Sequence, residues 1–508
     1  MKYLLGVDLG TSGTKTVLFN EQGVRIASET AEYPLYQPQN GWAEQDCADW
    51  WRAAAATINA VISKSGVSPE SIAGVGVSGQ MHGLVMLDKA GHPLRRSIIW
   101  CDGRTGKQCR EITQTLGRER LISITANPAL TGFTAGKILW VRENEPELFE
   151  KCAHIMLPKD YINYMLTGEL ATEVSDASGM NLLDVSKRCW SNEVLSALGL
   201  DRTLFSVMHE SCEVIGHVTA RAGALTGLAA GTPVVGGAGD NAAAAVGTGA
   251  VSAGKAFTTI GTSGVVFAHS DKVCIDPKGR VHSFCSAVPG AWTVMSCTLA
   301  AGLSLKWLRD TCCQPELEAA KEKGIDPYIL MDELAAASPV GANRLLFLPY
   351  IMGERSPILD EKARGCFIGL SAMHTRGDLI RAVMEGVCFS QKQCADVLNE
   401  IGVPTNDMMA CGGGARSGLW RQMLADIYGY SIKTAKASNE GPALGAAILA
   451  GVGAGVFGSV QETCAELVIP DTLTEPRAAE NAAYAGCFEL YLRLYPALKD
   501  AFSALSDL

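Results

Sequence analysis

The sequence predicts an α/β protein made of two related domains with a cleft between them. Three observations predict it. The chain has 508 residues, enough for two large domains or about three average ones. A short glycine-rich turn occurs near the start and recurs about half a chain length later. Apolar stretches ending in glycine turns alternate with segments of helical periodicity, the pattern of strands and helices taking turns. The composition, 47% hydrophobic and 19% charged, is too apolar for a disordered chain and too poor in proline and periodic glycine for a fibre. A net charge of -10 argues against nucleic acid as a partner, while leaving room for a small anion held by backbone amides.

The elements follow in order. Residues 3–7 are apolar, then come Asp8-Leu9-Gly10-Thr11-Ser12-Gly13-Thr14-Lys15, then the apolar run 16–19. That reads as strand, tight turn, strand, a hairpin and not a strand-to-helix loop. Residues 47–63, 146–152 and 190–198 have helical spacing, and 71–79 and 233–239 read as buried strands. The echo comes at Thr259-Ile260-Gly261-Thr262-Ser263-Gly264, again between apolar residues. Self-similarity at the head of each half puts the domain boundary at 249–255, giving domains 1–250 and 251–508. In the second half, 344–348 reads as a strand. The strongest helix is 378–397, with Leu379, Ala382, Val383, Gly386 and Val387 on one face and Asp378 as its cap. Residues 420–427 and 443–450 read as further helices, and those beyond about 453 as terminal packing helices. The uncharged stretch 441–461 contains Gly441, Gly445, Gly451, Gly453, Gly455 and Gly458 among alanines, which suits close packing and not a lipid-facing span. Seventeen cysteines without a CxxC pair, and no secretory leader, predict free thiols in a reducing, cytoplasmic setting and no membrane partner.

Several groups carry candidate chemistry. A Gly-Thr-Ser-Gly hairpin lets successive N–H groups converge on a polyphosphate, with the hydroxyls of Thr11 and Ser12, or of Thr262 and Ser263, as extra donors. One copy alone would be read as an ordinary tight turn. Beside the first copy, Asp8 can hold Mg²⁺ through water and Lys15 offers a cation to a moving phosphoryl group. The second copy has Thr259 in place of Asp8, so only the first half brings a carboxylate. The segment Val234-Val235-Gly236-Gly237-Ala238-Gly239-Asp240-Asn241 places Asp240 at the end of a buried strand. There it can accept a proton from an attacking hydroxyl, or cap the helix that follows; both readings stand. Gly412, Gly413 and Gly414 before a helix start allow close approach of a nucleotide, or form a flexible loop.

Three matches are set aside. Gly74-Val75-Gly76-Val77-Ser78-Gly79 fits GxGxxG, but turn and strand follow it where a dinucleotide site needs a helix. The relaxed match at 237–242 would put Asp240 against a pyrophosphate. Residues 249–256 nearly spell a phosphate-binding loop, but Ala256 stands where Ser or Thr must be.

Two longer patterns go further: Gly132-Phe133-Thr134-Ala135-Gly136-Lys137-Ile138-Leu139-Trp140-Val141-Arg142-Glu143-Asn144, and Gly365-Cys366-Phe367-Ile368-Gly369-Leu370 with Asp378-Leu379 and Ala382-Val383-Met384-Glu385. With them the chain resembles the FGGY family of carbohydrate kinases, in the actin-like ATPase superfamily. The resemblance implies two duplicated actin-like (ribonuclease H-like) domains, ATP and Mg²⁺, and a small sugar substrate, with a homodimer as assembly. Gly79-Gln80-Met81-His82-Gly83 and Leu157-Pro158-Lys159-Asp160-Tyr161 are most similar to the ketose kinases of the family. Glycerol kinases carry an Arg-Glu pair at the Met81-His82 position, and some ketose kinases an Asn where this chain has Cys101. The implied activity is phosphorylation of D-xylulose at O5. Asp240 is then the proton acceptor, and Met81, His82, Asp240, Asn241, Trp100 and Asp102 bind the sugar. Thr11, Ser12, Lys15, Gly261, Thr262, Ser263, Gly412, Gly413 and Gly414 bind ATP, and Asp8 with Asp240 binds the metal. The alternatives are a family member acting on ribulose, gluconate or another polyol, an actin-like chaperone or filament protein, and a nicotinamide oxidoreductase using 74–79.

Overall fold

The computed structural model describes residues 1–435, 440–506 and 508. The chain forms two compact units. The first comprises Met1–Ser252 together with His269–Thr293 and Glu440–Ile469, and the second comprises Ala253–Ala268, Val294–Asn439 and Pro470–Leu508. The first unit therefore borrows two segments from the second half of the chain, while the second unit lies wholly beyond residue 252.

The first unit is built on a mixed sheet. Tyr3–Leu9 lies at its middle, parallel to Ile72–Gly79 and antiparallel to Gly13–Asn20, and Arg25–Glu32 extends the meander. In this register Asp8 stands opposite Lys15 and next to Ser78. Pro233–Val235 and the short Ala238–Gly239 strand pair with Ile72–Gly79, so three strands deliver their ends to one edge of the sheet.

Two helices cover the sheet. Cys47–Ser65, capped by Asp46, lays Trp50, Ala54, Ile58 and Val61 on it. The other is Gly441–Gly453, and it explains the glycines of the strands. A Cβ on Gly6 would lie 1.9 Å from the carbonyl oxygen of Ala443, and one on Gly76 would lie 2.0 Å from that of Ala446. Gly74 and Gly76 of the 74–79 match thus serve close packing on the backbone of this helix, Gly79 makes room for the Lys159 and Leu9 side chains, and a strand follows at Val85–Leu87, as the sequence predicts. The uncharged 441–461 stretch is accordingly a buried helix and a loop, and among the described residues no helix is long and apolar enough to cross a membrane. Gly247 and Gly445 make the same close contacts between this helix and Asp240–Gly247. One helix therefore fixes both the strand that carries Asp8 and the helix that begins at Asp240.

The second unit repeats the hairpin theme. Lys255–Ile260 is antiparallel to Gly264–Ser270 and parallel to Asp407–Cys411, which is followed in the sheet by Ile432–Ala435. Its long helix is Arg376–Glu400, with Ile380, Val383, Met384 and Val387 buried. Thr375, and not Asp378, is the N-cap: the Thr375 hydroxyl accepts from the Asp378 amide while the Asp378 carboxylate accepts from the Thr375 amide, a capping box. The reading of Asp378 as cap missed the reciprocal partner three residues earlier. Beyond 453 the chain forms two helices, Val460–Leu467 and Ala478–Ser506, but also an edge strand, Pro470–Thr474, paired with Ile432–Ala435. Its Pro-Asp-Thr-Leu-Thr sequence has no apolar alternation to reveal it. All seventeen cysteines are free thiols.

Candidate active site

In the first unit the site grows from Asp8 and Asp240. The Ser78 hydroxyl donates to Asp8 Oδ1 at 3.2 Å, a contact set by the parallel register of their strands. Asp240 is the first residue of its helix, with Gly239 as N-cap, so the capping reading of Asp240 gives way to a carboxylate standing at a helix N-terminus. The backbone and side-chain amides of Asn241 both donate to Asp240 Oδ1, at 2.7 and 2.9 Å, which anchors one oxygen. Burial pushes the Asp8 carboxyl up to about 6. Burial, and then the charge of Asp8, push Asp240 up to about 7. Two carboxylates that feel each other in a desolvated place are a fit for a divalent cation, which needs one or two such ligands and otherwise takes phosphate and water oxygens.

The first hairpin is tied down from several sides. Gly10 N–H donates to Gly13 O across the turn at 3.0 Å, and the Tyr33 hydroxyl donates to the Gly10 carbonyl. Trp100, 40% exposed, donates its indole N–H to Thr11 Oγ1 at 2.9 Å, while Gln45 reaches the Thr11 carbonyl at 2.6 Å. Ser12 is exposed at the tip. Lys15 forms an ion pair with Glu440 at 2.6 Å, a residue that Arg25 also contacts at 2.9 Å.

Met81 and His82 follow the 72–79 strand. Met81 packs where a Cβ on Gly239 would fall 2.9 Å from its Cγ, so the residue before Asp240 is glycine for lack of room. His82 adopts a left-handed φ of 69°, its ring Nδ1 lies 2.8 Å from the Gly179 carbonyl, and Phe133 tilts against it at 4.5 Å. Phe284 lies 6.3 Å away, and His282 hydrogen-bonds Asn127 Oδ1 at 2.9 Å. Met81, His82, Asp240 and Asn241 are thus neighbours through Gly239 and Gly179. Below them lies a buried ionic cluster. Lys159 Nζ is 2.6 Å from Asp160 and 3.3 Å from Glu173, Ser175 Oγ donates to Glu173 at 2.9 Å, and Gly239 N–H donates to Ser175 Oγ at 3.2 Å. This chain of bonds fixes the turn into Asp240.

Asp102 is a correction. It is almost wholly buried, and both its oxygens are engaged by Arg104, with Oδ2 also accepting from Ala43 N–H at 2.6 Å. Arg104 in turn lies over the Trp42 ring at 3.7 Å and bonds Glu44 at 2.9 Å. Asp102 therefore braces the loop carrying Trp100 and presents no free oxygen to a sugar.

The second unit holds a cavity of about 550 Å³ whose lining includes Gly261, Thr262, Gly413, Gly414, Tyr328 and Trp420. Four of the six predicted nucleotide residues of this unit line one cavity. Ser263 instead closes the turn, accepting from Gly261 N–H at 3.1 Å. Gly412 has φ 83°, and a Cβ there would meet Ile260 O at 2.8 Å, so it shapes the hairpin from behind. The hairpin is docked on the 301–303 turn, where the Gly302 amide donates to Gly261 O at 2.7 Å and those of Ala301 and Leu303 donate to Thr262 O. Asp326, Asp332 and Lys306 also face this cavity; sequence reasoning missed them, and Tyr328, because no local motif marks 302–332. Arg416, just after the 412–414 glycines, faces it too. Likewise Asn127, His282 and Phe284 reach the His82 neighbourhood from distant segments.

With this geometry in hand, the comparisons are specific. The family profile "FGGY family of carbohydrate kinases, N-terminal domain" matches residues 3–247, and its C-terminal counterpart matches 256–454. The chain belongs to the FGGY family of carbohydrate kinases. The FGGY fold is the duplicated actin-like ATPase fold, here with the two hairpins at its two sheets. A xylulose kinase of Bacillus subtilis is 40% identical over 100% of this chain and 99% of its own length. The crystal structure of a xyloylose kinase from Brucella ovis is 35% identical with a TM-score of 0.90, covering 98% of this chain and 100% of its own. That of a gluconate kinase from Lactobacillus acidophilus has a TM-score of 0.92 at 28% identity, covering 99% of each.

Proposed function

We propose that this FGGY kinase transfers the γ-phosphoryl group of ATP to O5 of D-xylulose, giving D-xylulose 5-phosphate and ADP. The observation that carries the reading is the grouping of Met81, His82, Asp240 and Asn241 around Gly239 and Gly179, in a chain similar over its whole length to a xylulose kinase. Asp240 accepts the O5 proton. Its carboxyl is held up to about 7, where a base is about half ionised at neutral pH and basic enough to take a proton. Asn241 fixes one oxygen of Asp240 and leaves the other for the alcohol. The cavity bearing Gly413, Gly414 and Trp420 takes the nucleoside part, and the Gly261–Thr262 hairpin its phosphates. Thr11, Ser12 and Lys15 are the phosphate ligands of the first unit. Asp8 and Asp240 would hold Mg²⁺, which supplies neutralisation of the phosphate charge. With no covalent step asked of the protein, positioning and electrostatics account for the rate. Free thiols throughout suit a reducing, cytoplasmic setting.

A coupled ADP-release assay over D-xylulose, D-ribulose, L-ribulose, gluconate and glycerol tests this. D-xylulose should show the highest kcat/KM, by roughly tenfold or more. The likeness to a gluconate kinase makes gluconate the second reading, and a higher kcat/KM for gluconate would establish it instead.

A further inference from the structure

An ammonium group is expensive to bury, and a buried lysine is expected to face a carboxylate. Lys137, in the Thr134–Asn144 helix, has no exposed surface. Its Nζ instead donates to two neutral acceptors, the backbone carbonyls of His82 and Gly132, each at 2.8 Å. Asp102, a carboxylate that acts on it, is already engaged by Arg104. Burial accordingly pulls the Lys137 amine down to about 7. Both protonation states carry at least two N–H donors, so the two carbonyl bonds persist through the titration.

The carbonyl so held belongs to the residue with the least ordinary backbone at the site. A left-handed φ on a non-glycine residue is strained and persists only where its surroundings impose it. Three residues at the start of one helix impose it on His82. Lys137 and the Thr134 hydroxyl, the latter at 3.1 Å, donate to its carbonyl, and Phe133 packs on its ring. On the far side the Gly179 carbonyl meets Nδ1, where a Cβ would come within 2.3 Å of the ring.

We propose that Lys137, with Thr134, is a positioning residue for sugar recognition: it clamps the His82 carbonyl and thereby aims the imidazole and the adjoining Met81 side chain at the ketose. The proposal rests on the reading above that His82 contacts the sugar. Lys137 touches no reacting atom. Its work is to hold a strained backbone that a purely apolar side chain would release.

The test is a double-mutant cycle on the full-length protein, read as KM for D-xylulose and, separately, KM for ATP. Lys137→Met should raise the ketose KM by roughly tenfold or more, the loss expected when buried carbonyls are left without their donor, with the ATP KM within about twofold of wild type. Thr134→Val should raise it about threefold to fivefold. In a His82→Ala background either substitution should add less than about twofold, because the group being positioned is gone. Equal losses in both backgrounds, or an ATP KM rising in step, would overturn the clamp and leave Lys137 as a general packing element. Should Lys137→Met not yield folded protein, Thr134→Val carries the same cycle. If His82→Ala itself leaves the ketose KM unchanged, the sugar-contact reading falls first, and the clamp with it.

Discussion

The two glycine hairpins share a turn and differ in what surrounds it. In both, the glycine amide bonds across the turn, Gly10 to Gly13 and Gly261 to Ser263. In both, the incoming strand runs parallel to the next strand of its sheet. The residue at the strand end then separates them. Asp8 is a buried carboxylate raised to about 6 and coupled to Asp240. Thr259 is neutral: its hydroxyl accepts from the Val265 amide at 3.1 Å and its carbonyl from Gln391 at 2.6 Å. The first hairpin ends beside Asp240, the proposed proton acceptor, with a buried charge next to it; the second is tied by internal bonds and borders a cavity of about 550 Å³. A duplicated turn can serve chemistry in one copy and binding in the other, depending on whether the strand end is left charged.

The sharpest way to break this contrast is at Asp240. Asp240→Asn should lower kcat by roughly 10²–10⁴, with ATP KM little changed; near-normal turnover would remove the chemical role of the first unit. The same variant should melt higher at pH 8, by a few degrees. Asp240 titrates at about 7 in the fold against 3.8 ordinarily, so the folded chain holds more protons over that window and stability falls as pH rises through it. Removing the charge removes that loss, and the gain in melting temperature should vanish towards pH 4.

Next comes the direct exchange between copies. Asp8→Asn should cost roughly 10–100-fold in kcat and weaken the Mg²⁺ dependence. It also removes a charge that raises Asp240, so the acid limb of the kcat/KM profile, expected near the Asp240 value of about 7, should move to lower pH. Thr259→Val, its counterpart, should cost less than about fivefold, the worth of a neutral hydrogen bond. Equal losses at the two positions would erase the distinction.

Gly412→Ala sharpens the other side. A side chain at φ 83°, pressing on Ile260 O, should distort the second hairpin and raise the ATP KM by about tenfold while sparing the sugar KM. The smallest effect is expected from Trp100→Phe. It deletes the indole bond to Thr11 at a half-exposed place, so a change of about twofold to fivefold in KM is expected, and no change would leave Trp100 outside the site.

Much of this was legible in the sequence, for identifiable reasons. The hairpins, the strand leading to Asp240 and the glycine run at 412–414 are local signals, each written in a few consecutive residues. The core of the long 376–400 helix was equally plain, since its apolar face repeats at helical spacing. What stayed hidden depends on partners far along the chain. Nothing local says that Arg104 consumes Asp102, that Glu440 meets Lys15, or that Lys137 holds His82. The glycines of 74–79 mimic a dinucleotide motif because close helix packing and close phosphate approach make the same demand, an absent Cβ.

The helix Gly441–Gly453 bears on how the chain is made. It covers Gly6 and Gly76, yet it is translated long after them, so the groove over these glycines can close only once residues 441–453 have been made. A gene cut at the midpoint would accordingly yield an N-terminal product missing its own lid on that groove. Such a product should be sticky and poorly soluble, and adding back a peptide spanning 440–469 would be its natural remedy.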